Sequence, residues 1–78
     1  MEIGAAIEAM RAGRKVQRAG WNGIGLWLQL QIPDAHSKMT MPYVYMNYPA
    51  EAQHTPSARV PWLASQTDML ADDWREID

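Results

Sequence analysis

The sequence predicts an α+β fold: a small antiparallel β-sheet (meander) with an N-terminal helix, then a short C-terminal helix followed by a last strand. Three observations carry this. Apolar residues recur at helical spacing near the start, alternate with a period of two in the middle, and follow a capping signature near the end. No internal repeat, low-complexity tract or second domain interrupts the chain, so residues 1–78 read as one domain.

Ile3, Ala6, Ile7 and Met10 fall at i, i+3, i+4 and i+7, one apolar face of a short helix, and Gly13 supplies its stop. Lys15 to Arg18 reads as a short strand with Val16 inward. Asn22-Gly23 is the dipeptide most favoured in tight hairpin turns, where both central residues need positive φ. Leu26, Leu28, Leu30 and Ile32 then alternate with Trp27, Gln29 and Gln31, which makes the four aliphatics a core face, until Pro33 ends the run.

Residues 34–41 form a loop, and Pro42 to Met46 a third strand rich in aromatic and β-branched residues. Residues 47–57 lack periodicity and read as a surface loop. Arg59 to Leu63 returns to the sheet, with Pro61 at an edge or a strand start. Ser65 followed three positions later by Asp68 is a capping-box pattern and opens the second helix. Trp74 to Ile77 supplies the last strand.

A chain of 78 residues buries only about 60% of the surface its unfolded form exposes, so its core is marginal. With no cysteine, neither disulfides nor thiolate metal sites can reinforce it, which leaves oligomerisation. Four Trp, three Tyr, six Met and no Phe favour interfaces and ligand pockets over a sealed core. The net charge of -2 argues against binding duplex nucleic acid. Arg11, Arg14, Lys15 and Arg18 nevertheless cluster, while acids gather at the C-terminus. That pattern reads either as a basic turn paired with the acidic tail or as a small patch able to hold phosphates. No apolar run is long enough to span a membrane, and no signal peptide is evident; the expected location is the cytoplasm.

The chemistry points to binding. His36 and His54 have no metal-ligand cluster around them, and no nucleophile elbow or glycine-rich phosphate loop is present, so no metal, cofactor or catalytic residue is assigned. Asp68, Asp72 and Asp73 near the second helix most simply complement its dipole. Trp21, Trp27, Tyr45 and Trp62 offer flat faces for a nucleobase, while Asn22, Gln66 and Thr67 can hydrogen-bond it or a ribose. Arg18 or Lys15, with free N–H groups at the second helix, can meet a diphosphate. Trp62 and Trp74 also suit the core. Trp21, between glycines in a turn, has few intrachain neighbours and needs a subunit or ligand to cover it. Trp27 suits an interface and a pocket equally.

The segments "IGAAIEAMRAGRKVQRAGWNGIGLWL", "MPYVYM" and "VPWLASQTDMLADDW" are similar to those of the Thoeris anti-defence protein two family of phages and prophages. The resemblance implies a homotetramer, active in the cytoplasm of the infected bacterial host, that sequesters a cyclic ADP-ribose isomer made by TIR-domain enzymes. Some relatives are also understood to bind cyclic oligonucleotides of CBASS defence. Matching residues are Trp21, Asn22, Gly23, Trp27, Tyr45, Trp62, Ser65, Gln66, Thr67, Asp68 and Trp74. On that reading Trp21 and Trp62 wall the pocket or stack on adenine, Asn22 and Asp68 bond ribose hydroxyls, and Arg18 with the Gln66 and Thr67 amides meets the diphosphate. Ile3, Ala5 and Ile24 depart from the family's usual residues. A hydrolase acting on the same messenger through Asp68 or Asp72, and a structural interaction module, are the alternatives.

Overall fold

The computed structural model describes residues 1–21 and 25–77. The expected Asn22-Gly23 turn therefore lies outside the described residues. In chain order the elements are α1 (Ile3–Arg11), β1 (Lys15–Arg18), β2 (Trp27–Gln31), β3 (Tyr43–Asn47), β4 (Arg59–Pro61), α2 (Gln66–Leu70) and β5 (Trp74–Ile77). The strands form one antiparallel sheet in the order β4-β3-β2-β1-β5. It is a meander through β4, after which the chain crosses by α2 and adds β5 beside β1. This is the predicted α+β class.

Helix α1 ends where the glycine directs. Gly13 adopts φ of +86°, its N–H reaches the Met10 carbonyl at 3.0 Å, and the Arg14 N–H reaches that of Ala9 at 3.0 Å. These two bonds are a Schellman cap. Of the predicted face of α1, Ala6 and Met10 are buried and Ile3 packs partly buried against the core; Ile7 lies at the rim instead, and Ala9 takes the remaining buried position.

Pairing places Val16 opposite Leu28, and both are fully buried beneath α1 with Trp74 of β5. Leu30, Val44 and Met46 pack around them half-buried. Ile32, expected in the core, is 63% exposed. Strand β2 stops at Gln31, since Pro33 offers no N–H to continue the ladder. Asn47, expected in a loop, is instead the last residue of β3, and it is buried: its Nδ2 donates to Gln29 Oε1 at 3.1 Å. Strand β4 is shorter than predicted, ending at Pro61, and lies at the sheet edge where a proline costs no ladder bond.

Candidate functional site

Arg18 closes β1 opposite Trp74 of β5, and this puts a cation at the corner where β1, α2 and the approach to β5 meet. Its Nη1 donates to Asp68 Oδ1 at 2.8 Å, and its Nε donates to Asp73 Oδ1 at 2.8 Å. Asp68 Oδ1 also accepts the indole N–H of Trp21 at 3.1 Å. The backbone N–H of Gly20 donates to Asp73 Oδ2 at 2.8 Å, so close that a Cβ at position 20 would lie 2.7 Å from that oxygen. One guanidinium thus ties residues 18–21 to α2 and to the entry of β5.

The electrostatics follow from these bonds. Burial pushes the Asp68 carboxyl upward, but hydrogen bonds from Arg18 and Trp21, with the charge of Arg18, outweigh it and hold the group below its ordinary value. The Arg18 hydrogen bond does the same for Asp73 against a smaller opposing effect of burial, and the Gly20 N–H helps. Hydrogen bonds to Asp73 and Asp68 in turn raise Arg18. All three groups are charged at neutral pH.

Trp74 lies at the centre of an aromatic stack. Trp21 meets it edge to face with ring centroids 5.4 Å apart, and Trp62 does so at 5.9 Å. The Trp74 indole N–H donates to the Asp68 carbonyl at 3.0 Å. The sequence reading gives Trp21 few intrachain neighbours. In the structure Trp74 and Asp68 cover part of it, because the turn at residues 18–21 brings the ring against the core, where it stays half-buried.

Ser65 caps α2 by accepting the Asp68 N–H at 3.0 Å. Only half of the predicted capping box forms in this way, since the carboxylate of Asp68 turns to Arg18 and Trp21 instead of back to the cap. Gln66 and Thr67 are exposed beside it. Of the sequence-derived site residues, then, Arg18, Trp21, Trp62, Ser65 and Asp68 come together, with Gln66 and Thr67 at their margin. Asn22 and Gly23 lie outside the described residues.

Trp27 and Tyr45 are elsewhere. Strand alternation points them to the sheet face opposite Leu28, away from both helices. There Lys15 Nζ stands 5.1 Å from the Trp27 ring centroid, and the Trp27 indole N–H donates to Gln29 Oε1 at 3.1 Å. Arg75 donates through Nε and Nη2 to Gln17 Oε1, at 3.0 and 2.8 Å. The sequence reading missed the roles of Gly20 and Asp73 and the whole polar lattice around Gln17, Gln29, Asn47 and Arg75. Strand alternation was the available signal for the lattice; nothing local announced Gly20.

Among the described residues no three His, Asp or Glu side chains gather as metal ligands, and no helix is long and apolar enough to cross a membrane.

Comparison with known proteins follows the same residues. The Thoeris anti-defense 2-like domain matches residues 1–77. A protein named Thoeris anti-defense 2, from Bacillus phage SP01, is 36% identical over 81 aligned positions, which cover 95% of this chain and 91% of that protein. A match of this extent spans the Trp21–Asp68–Trp74 hub and every strand of the sheet, and it places the chain in the Thoeris anti-defense 2-like family.

Proposed function

We propose that this protein captures a cyclic ADP-ribose-type messenger without altering it, so that Thoeris immunity is not triggered in the host cytoplasm. Family membership supports a phage anti-defence role. The observation that carries the finer reading is the division of the site residues between two faces of one sheet. Arg18, Trp21, Trp62 and Asp68 lie on the helix side, and Trp27 and Tyr45 lie on the other. A single chain cannot gather both sets around one small ligand. Two chains can, which favours a homo-oligomer, a tetramer in our reading, with pockets between subunits; a cyclic oligonucleotide is a further candidate ligand for such an assembly.

Capture is favoured over hydrolysis by the state of Asp68. A general base works best with a pKa near the operating pH, whereas this carboxylate is held low and its Oδ1 already accepts two donors. Its second oxygen suits a ribose hydroxyl as donor. A sponge acts by mass action and needs tight binding only.

The test is to incubate the protein with the products of a TIR-domain signalling enzyme, remove free nucleotides, denature with heat and identify what is released by mass spectrometry. Intact cyclic ADP-ribose isomer is expected, with less released from Trp21→Ala and Asp68→Ala proteins. Linear ADP-ribose would replace capture with hydrolysis, and an empty protein would leave a structural interaction module.

A further inference from the structure

The two faces of the sheet differ in charge. On the helix side Arg18 is outnumbered, one guanidinium facing the two carboxylates of Asp68 and Asp73. Those three side chains together carry a net negative charge, so the charge of Arg18 is already met by carboxylates. Arg11 and Arg14 are paired as well, with Glu8 and Glu76.

On the opposite face no strand residue is acidic. Lys15 and Gln17 of β1 point there, as do Trp27 and Gln29 of β2 and Arg75 of β5. Among the described residues neither Lys15 nor Arg75 has a carboxylate within ion-pair distance. Arg75 is oriented by a neutral amide, Gln17, which fixes the guanidinium without cancelling its charge. Lys15 is held over an indole ring, which likewise leaves its charge available. Lys15 pairs with Ile77 and Gln17 with Arg75, so the two cations are diagonal neighbours on adjacent strands. Such neighbours sit roughly 7–8 Å apart at the backbone, within reach of one another's long side chains. Both cations therefore rise from the same face, one beside Trp27 and the other beside Gln17.

We infer that Lys15 and Arg75 form a diphosphate subsite, with Trp27 as the aromatic wall beside it, and that Arg18 is a positioning residue which does not touch phosphate. This deepens the reading of the chain as a nucleotide binder and rests on it for the identity of the natural ligand.

The probe is inorganic pyrophosphate, titrated into the isotope-labelled full chain while the indole N–H of Trp27 and the Nε–H of Arg75 are followed by NMR. Both signals are expected to shift, less so at high salt. Lys15→Gln and Arg75→Gln, at sites outside the core, are expected to weaken binding by roughly tenfold or more through loss of a charge-assisted bond. Shifts confined to Trp21 and Arg18, unmoved Trp27 and Arg75 signals because a second copy of the chain covers this face, or unchanged affinity in both variants would each overturn the subsite. Pyrophosphate binding without messenger capture would refute the proposed function and leave the subsite standing. Equal messenger capture by the parent and the double variant would do the reverse.

Discussion

Arg18 and Asp68 are fifty positions apart in sequence and 2.8 Å apart in space, joined by a bond from guanidinium to carboxylate that is largely screened from water. With Asp73 on its other edge, Arg18 links the first strand to the last third of the chain.

This linkage predicts acid sensitivity. Asp68 and Asp73 both have folded-state pKa values below their unfolded ones. Their contribution is complete above about pH 4, the ordinary aspartate range, and is lost as pH falls through the lower folded values. Thermal melts from pH 7 down to pH 2 should show the melting temperature dropping below about pH 4. Asp73→Asn should melt lower at neutral pH and lose less on acidification; parallel profiles for the two proteins would exclude the mechanism.

Gly20 and Gly4 should respond in opposite directions to alanine. At Gly20 the new Cβ would meet Asp73 Oδ2 at 2.7 Å and force the carboxylate off Arg18, a steric cost of about 1–3 kcal/mol. At Gly4, in α1, an added Cβ would meet nothing within 4 Å beyond the helix's own backbone and its chain neighbours, and alanine should stabilise by about 0.5–1 kcal/mol. Urea unfolding of both variants measures the contrast.

Leu28→Ala should cost about 2–5 kcal/mol, because the side chain is fully buried against Val16 in a core with little else to fill the void. Ile32→Ala removes an aliphatic side chain from the same sequence alternation and should change stability by no more than about 0.5 kcal/mol. Equal losses would mean that β2 continues past Gln31.

Ser65→Ala removes the acceptor for the Asp68 N–H and should destabilise by about 0.5–2 kcal/mol. Because α2 carries Asp68, the indole N–H resonance of Trp21 should move in the same variant. A stability loss with no change at Trp21 would show that the cap and the hub are independent.

Much of this architecture was legible in the sequence because it rests on local rules. Period-two alternation marked β2, Gly13 marked the end of α1, and Ser65 marked the start of α2. The charge pattern also read through: the basic turn does pair with the acidic tail, Arg14 with Glu76 and Arg18 with Asp68 and Asp73. What failed depended on tertiary position. Ile7 and Ile32 match an apolar period, yet burial is decided by where the helix axis and strand end fall. Trp21 looked unsupported because its partners, Asp68 and Trp74, are about fifty residues away. Burial of Asn47 follows from cross-strand contact with Gln29, which no window around position 47 reveals.

Strand β5 pairs with β1 along all four of its residues, and its Trp74 is part of the buried core. During synthesis, therefore, β1 is made long before its second neighbour β5 and before the ring that completes the core. A nascent chain carrying α1 to β4 leaves β1 as an open edge in addition to β4, with a hollow where Trp74 belongs, so it gains little stability from the contacts already available. Folding of this domain is expected to wait for β5 and then occur as a single event rather than stepwise, strand by strand.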